Sequence, residues 1–208
     1  MDVRAAIAVE RRRIADLVDG LDAAQLDRPS LCGDWTVKQV AAHLLAAVEF
    51  SPGAALRTFV RCGFRLHRAN AQIAVSVARR PATELADGLR RHAETDFRPP
   101  VVGYPGQLTD LQVHGQDMRR PLGLPHGLTP DGLRASLTFL TGGRAPGFTS
   151  RRRLSGLRLA ASDLPWTWGS GALVTGPAEA LMMAMTGRPV ALAELDGLGV
   201  RTLAHRIS

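Results

Sequence analysis

The sequence has little of several residue types, and each shortage excludes a class of protein. Two cysteines in 208 residues are too few for a disulfide scaffold and favour a reducing, cytoplasmic location. Aromatic residues make up 5% of the chain, which leaves no platform for stacking nucleic-acid bases. No uncharged apolar run approaches the roughly 18 residues that a membrane span needs, so we expect no membrane insertion.

Lysine is almost absent as well. The 26 basic residues include a single lysine, Lys38, and the formal net charge is +7. One interpretation is an electrostatic footprint for nucleic acid, whose binding would weaken steeply as salt rises. The other is that a GC-rich genome encodes arginine in place of lysine. Because the arginines are scattered along the chain, we favour the second interpretation and do not expect nucleic acid as a partner.

What is present is a series of helical patterns. A capping box, Thr36 followed by Gln39, is typical of a helix start and places one near Val37. Thr129 with Pro130 is a second start signal. Hydrophobic spacing and Pro or Gly breaks predict helices over residues 2–27, 37–50, 54–78, 84–95, 107–120 and 130–141, with a loop over 98–106.

After about residue 147 the pattern changes. Residues 154–163 alternate as a strand does, and the segment PWTWGSGALVTG indicates strand, turn and strand. Gly176-Pro177 then introduces an apolar helix that ends at Gly187. The sequence therefore predicts a mainly α fold with a small α+β part: a helical bundle over residues 1–146 and a small α+β domain over 147–208.

The sharpest chemical pattern is Asp110-x-x-x-His114-x-x-Asp117. On a helix, at 100° per residue, His114 lies about 40° from Asp110 and Asp117 lies about 20° from it on the other side, so all three share one narrow stripe. A carboxylate and an imidazole at positions i and i+4 can share one metal ion. His43 is the strongest candidate for a third ligand, because it lies on an otherwise apolar helical face that should point into the bundle.

Two histidines and one carboxylate leave a fourth position for water or substrate, as in catalytic zinc sites. Asp117 is then either an orienting partner of His114 or a ligand itself. The alternatives stay open: Asp and His at i and i+4 are often solvated surface partners, and a histidine on an apolar face is often a hydrogen-bonded core residue. Cys32 has no base near it in the sequence, which favours a bystander thiol over a nucleophile.

Three blocks of the sequence resemble the maleylpyruvate isomerase family, the mycothiol-dependent branch of the DinB-like bundles. GDWTVKQVAAHL, at 33–44, is similar to the family's first metal-site helix, and DLQVHGQDMRRPLG, at 110–123, is similar to its second. Residues 157–206 resemble its sterol-carrier-protein-like C-terminal domain. The motifs of that block are DLPWTWG, Gly176-Pro177 and Thr186-Gly187-Arg188.

The resemblance implies a DinB-like four-helix bundle that binds a divalent metal, usually zinc, followed by a small α+β domain. Carried over by position, the ligands are His43, Asp110 and His114. This sequence departs from the family at one ligand, where Asp110 stands in place of the usual Glu. The family's cofactor is mycothiol, and its best-known reaction converts maleylpyruvate into fumarylpyruvate.

We therefore predict a cytoplasmic, metal- and mycothiol-dependent enzyme, a monomer or homodimer, that adds a small thiol to an electrophilic substrate in isomerisation or thiol transfer. Asp117 and Arg188 are the predicted catalytic residues, with Arg188 holding a substrate carboxylate. The alternative is a noncatalytic binding or regulatory protein on the same bundle with a degenerate metal site. The shorter Asp110 carboxylate is what keeps that alternative open.

Overall fold

The computed structural model describes residues 1–49 and 52–207. It is mainly helical with one three-stranded sheet, so the predicted fold class is confirmed. Within those residues no helix is long and apolar enough to cross a membrane. The α-helices are α1 (Val3–Asp19), α2 (Ala23–Leu26), α3 (Val37–Glu49), α4 (Pro52–Arg61), α5 (Leu66–Val77), α6 (Ala82–Arg91), α7 (Gly103–Arg119), α8 (Pro130–Thr141), α9 (Arg151–Leu154), α10 (Ala178–Met185) and α11 (Val200–Ile207). The strands are β1 (Leu157–Ala161), β2 (Thr167–Gly169) and β3 (Ala172–Gly176).

The chain divides into two compact units. The bundle unit comprises residues 4–97 and 114–125, and the C-terminal unit comprises residues 1–3, 98–113 and 126–208. Helix α7 is one continuous helix that contributes its first part to one unit and its last part to the other.

The predicted domain boundary between residues 146 and 147 stays a prediction. The first strand does begin after it, at Leu157, as the change in sequence pattern indicates. Helix α8, however, packs against α10 and groups with the later elements, although it precedes that boundary in the chain.

In the bundle unit, α3 begins where the capping box predicts. The Gln39 N–H donates to the Thr36 hydroxyl at 3.3 Å, and the Thr36 N–H donates to the Gln39 side-chain oxygen at 2.9 Å. The helix packs against α5 and α6, with Val40 and Leu45 fully buried. Phe50, the predicted last residue of this helix, lies outside the described residues.

Two of the predicted helices are wrong because each is two helices. The one over residues 2–27 ends at Asp19 and restarts at Ala23, because Asp22 and Gln25 form a capping box of their own. The one over residues 54–78 is interrupted between α4 and α5, where Gly63 and Phe64 take left-handed backbone angles of φ +62° and +60°. A left-handed residue cannot continue a right-handed helix.

Helix α7 begins at Gly103, four residues earlier than predicted, so the predicted loop over 98–106 is wrong at its end. Pro105 lies in the first turn, where a backbone N–H has no partner within the helix and its loss costs nothing. The helix predicted over residues 84–95 likewise begins earlier, at Ala82 after Pro81, and it ends earlier, at Arg91. The α8 start is confirmed: the Thr129 hydroxyl accepts from the Gly132 N–H at 3.2 Å.

In the C-terminal unit, β1 is the central strand of a sheet with the order β2-β1-β3. It pairs antiparallel with β2 and parallel with β3. The Asp163 carboxylate accepts from the Ala178 N–H at 2.9 Å and so caps α10. That helix is buried all round, with Leu181, Met182 and Met183 at 0% exposure, so it forms the centre of this unit's core.

Glu10 of α1 is a buried acid whose charge is costly. It is 6% exposed, and burial raises the pKa of its carboxyl even though Arg13 lies 2.8 Å away and pulls the pKa down. A raised pKa in the folded state means that the folded protein binds the proton more tightly than the unfolded chain. The contribution of Glu10 to stability is therefore fully present below the ordinary pKa of 4.5 and is lost as the pH rises through the folded-state pKa.

We expect Glu10→Gln to remove this pH dependence. The free energy of unfolding of the variant, minus that of the wild type, should increase as the pH rises from 4.5 towards 7, because only the wild type pays for burying the charge. Urea unfolding followed by circular dichroism across this pH range measures the difference. A difference that decreases with pH would show that the Arg13 pair outweighs burial.

Candidate metal site

The site is built on α3 and α7. His43 lies in the middle of α3 and His114 lies in the second half of α7. Their ring centroids are 5.2 Å apart with the ring planes at 81°, and both side chains are half-buried. The helix predicted to carry His43 on its inner face therefore directs this ring towards the second predicted histidine.

Asp110 stands one turn before His114 on α7, so the continuous helix sets the position of each relative to the other. A ligand atom of each of His43, Asp110 and His114 lies within 4.8 Å of the others. The structure thus brings together the three residues that the sequence predicts as ligands. Their role as ligands stays a prediction.

Asp117 lies behind His114. Its side chain is fully buried, and its Oδ2 is 2.9 Å from Nδ1 of His114. An ionised carboxylate can only accept hydrogen bonds, so with Asp117 ionised the ring proton of His114 lies on Nδ1, and Nε2 is the nitrogen left to bind a metal. This is the carboxylate–histidine arrangement that orients metal-binding imidazoles in proteins. Asp117 therefore fits the orienting role better than the ligand role.

The donor set fits a divalent metal of zinc type. Two imidazoles and one carboxylate are the ligands of many catalytic zinc sites, and they leave a position for an exogenous ligand. The buried Asp117 carboxylate supports the fit independently, because its contact with Nδ1 fixes the His114 ring and leaves Nε2 for a metal.

A loop before α3 borders the site. The Trp35 ring centroid is 5.1 Å from that of His43. The Leu31 N–H donates to the Asp117 carbonyl at 3.0 Å, which ties the loop to the last turns of α7. Since the tie is a backbone hydrogen bond between distant parts of the chain, no residue pattern in the sequence indicates it.

Cys32 belongs to this loop, and sequence reasoning did not connect it with the site. The structure places its Sγ, a nitrogen of His114 and a carboxylate oxygen of Asp117 within 4.8 Å of one another. The only sequence signal was that Cys32 precedes the capped helix that carries His43, which by itself says nothing about α7.

Arg188, the second predicted catalytic residue, lies in the C-terminal unit just after α10. Its guanidinium donates to the Thr186 carbonyl at 2.8 Å. Burial lowers the pKa of the neighbouring Arg153, and the positive charge of Arg188 lowers it further. Two guanidinium groups therefore share a positive region of this unit, and the catalytic role of Arg188 stays a prediction.

The comparison with known families bears on the bundle unit. Residues 7–98 match the family model for the mycothiol maleylpyruvate isomerase N-terminal domain, a little under half of the chain. Neither a curated protein nor a solved structure matches the chain. The matched range contains α3 with His43 and ends before Asp110 and His114. Residues 7–98 are thus similar to the mycothiol maleylpyruvate isomerase N-terminal domain, and the predicted resemblance of this chain to that family is confirmed.

Proposed function

We propose that this protein is a metal-dependent enzyme that activates mycothiol for addition to a small electrophilic substrate, in isomerisation or thiol transfer. The observation that carries the proposal is the convergence of His43, Asp110 and His114, with the buried Asp117 behind His114. The family match supplies the thiol: the matched domain is the one named for mycothiol and maleylpyruvate.

His43, His114 and Asp110 would hold the metal, for which we propose zinc. A bound divalent metal would supply one property, a lowered pKa of a coordinated thiol, so that the nucleophilic thiolate exists at neutral pH. Asp117 would keep the His114 proton on Nδ1 and the ring in its binding orientation. Trp35, packed on His43, would fix the other imidazole and keep water from that side of it.

For the substrate we propose Arg188 as the carboxylate anchor. A planar guanidinium pairs with a carboxylate through two parallel hydrogen bonds. The adjoining Arg153 adds positive charge in the same region of the C-terminal unit, which favours an anionic group there. We further propose a cytoplasmic location, where low-molecular-weight thiols are kept reduced.

The test is mycothiol-dependent turnover of maleylpyruvate and other activated alkenes by protein stripped with chelator and then reloaded with zinc. We expect turnover only with zinc and thiol together, because neither the apo protein nor the free thiol at neutral pH presents enough thiolate. Reaction mixtures without protein are the control for spontaneous thiol addition.

Thiol consumption equal with and without the protein, over the whole set of electrophiles, would argue against catalysis. Zinc bound in the absence of turnover would favour the noncatalytic alternative on the same bundle. Protein that binds no zinc at all would refute the proposed site itself.

A further inference from the structure

A cavity of about 360 Å³ lies within the C-terminal unit, where the end of α8, the helix α9 and the strand β2 meet. Its volume falls within the range of small-molecule sites in proteins. None of the residues that line it is a proposed metal ligand, and Arg188 is not among them. The cavity is therefore a feature that the proposed function does not use.

Part of the cavity wall is apolar. Leu140 and Leu154 line it, and they are only 2% and 3% exposed. Trp168 lines it as well, and this residue pairs with Leu159 of the central strand, so the two side chains lie on the same face of the sheet. Leu159 is completely buried, whereas Trp168 is half-buried. The indole thus lies on the covered face of the sheet, beside the cavity.

The other part of the wall is cationic. Of the described residues that line the cavity, Arg151 alone is charged. Its guanidinium lies against Gly143, because a Cβ at Gly143 would be 2.8 Å from Nη2 and 3.0 Å from Nε of Arg151. Within residues 1–49 and 52–207 this guanidinium makes no hydrogen bond and no ion pair. Its hydrogen-bond donors are therefore available to a ligand.

The surrounding sequence gives the guanidinium no acidic neighbour. Between Asp131 and Asp163 the chain has no Asp or Glu, while it carries positive charge at Arg134, Arg144, Arg151, Arg152, Arg153 and Arg158. Thr149 also lines the cavity, and its buried hydroxyl has no hydrogen-bond partner in the part of the chain that the structure describes. Positive charge and unused donors at one cavity favour an anionic ligand.

We propose that this cavity binds a small carboxylate with a planar apolar body, of the kind that an aromatic acid has. The carboxylate pairs with Arg151 through two parallel hydrogen bonds. The apolar body lies against Trp168 and the two leucines and is thereby removed from water. Inorganic phosphate has the charge and lacks the body, so the apolar wall would add nothing to its binding. The proposal does not depend on the metal site.

The first test compares three probes on the wild-type protein by calorimetric titration: 2-naphthoate, its neutral analogue 2-naphthamide and inorganic phosphate. We expect 2-naphthoate to bind at least ~10-fold more tightly than 2-naphthamide, because only the carboxylate forms charge-assisted hydrogen bonds with Arg151. We expect phosphate to bind more weakly than 2-naphthoate. This comparison needs no variant, so it does not depend on whether a variant folds.

The second test locates the ligand. Arg151→Gln should weaken 2-naphthoate binding at least ~10-fold. Arg152→Gln is the matched control, because this neighbouring arginine is exposed and does not line the cavity. In NMR spectra the indole N–H resonance of Trp168, assigned with Trp168→Phe, should shift as 2-naphthoate binds. The resonance of Trp35, whose ring is 5.1 Å from His43, should stay in place.

Three results would overturn the proposal: no saturable binding of 2-naphthoate, equal affinity for 2-naphthoate and 2-naphthamide, or wild-type affinity in Arg151→Gln. A shift of Trp35 without a shift of Trp168 would also overturn it, because the ligand would then lie at the candidate metal site. Phosphate that binds as tightly as 2-naphthoate would refute the apolar part of the site. Zinc binding by Arg151→Gln should equal that of the wild type, so these results leave the proposed function standing.

Discussion

Replacing His43 or His114 by alanine is expected to abolish tight zinc binding. Each change removes one of the three donors whose ligand atoms lie within 4.8 Å of one another. Loss of a hydrogen-bonded partner of a ligand typically lowers metal affinity by about 10–100-fold, and loss of the ligand itself should exceed that range. Metal analysis after dialysis, followed by calorimetric titration with zinc, measures the loss.

Asp117→Asn should have a smaller effect on zinc affinity than loss of a ligand. The asparagine keeps the size of the side chain but can present its NH₂ group to Nδ1 of His114, which favours the wrong tautomer. We therefore expect affinity to fall by about 10–100-fold and not to vanish. His205→Ala is the control, because His205 is exposed near the end of α11 and should leave zinc binding unchanged.

Zinc retained by both alanine variants would refute this ligand assignment. Zinc retained only by His43→Ala would place the metal on α7 alone. Thermal unfolding of each variant without metal checks that a loss of binding is not a loss of fold.

Arg11→Ala is expected to cost about 3–4 kcal/mol of unfolding free energy. Arg11 is 1% exposed, yet it is charged. Its guanidinium donates to the carbonyls of His92, Ala93 and Thr95 at 2.8, 3.0 and 3.1 Å, just beyond the end of α6. A cation there also meets the negative end of the helix dipole. Alanine would leave these carbonyls without their donor and leave a cavity beside them.

Arg12 provides a matched control at the adjacent position. Its guanidinium pairs with Glu94 at 2.6 Å, but the two side chains are 47% and 80% exposed, so Arg12→Ala should cost less than about 1 kcal/mol. Arg11→Lys should fall between the two, because lysine keeps the positive charge but its shorter side chain ends before the position of Nη1, which makes all three hydrogen bonds. Urea unfolding followed by circular dichroism measures all three, and equal losses for Arg11→Ala and Arg12→Ala would contradict the buried role.

The elements that were predicted well are those whose signals are local. Thr36 with Gln39, and Thr129 with Pro130, satisfy backbone groups within three residues of themselves, so the sequence is enough to place α3 and α8. The breaks at Asp22 and at Gly63-Phe64 were missed, because hydrophobic spacing continues across them while the backbone turns. The spacing of hydrophobic residues indicates which helix face is apolar, but it does not indicate where one helix ends and the next begins in a new direction.

In the candidate site, too, local features can be predicted from the sequence and long-range contacts cannot. Asp110, His114 and Asp117 share one stripe because helical geometry is periodic, and the sequence predicts this without a fold. Apolar neighbours on α3 indicate that His43 faces inward, but only the packed structure shows it 5.2 Å from the His114 ring. Cys32 was beyond prediction, because its place depends on the hydrogen bond from Leu31 to the Asp117 carbonyl.

The arginines show most clearly what the sequence determines and what only the tertiary structure decides. By itself the sequence determined the mainly helical class, the starts of α3 and α8, the shared face of Asp110, His114 and Asp117 on α7, and the family resemblance. Each of these depends on residues close together in the chain. Only the tertiary structure decided that Arg11 is a buried donor to three carbonyls while its neighbour Arg12 is an exposed ion-pair partner. Burial and the partners of a side chain come from segments far apart in sequence, and only packing brings those segments together.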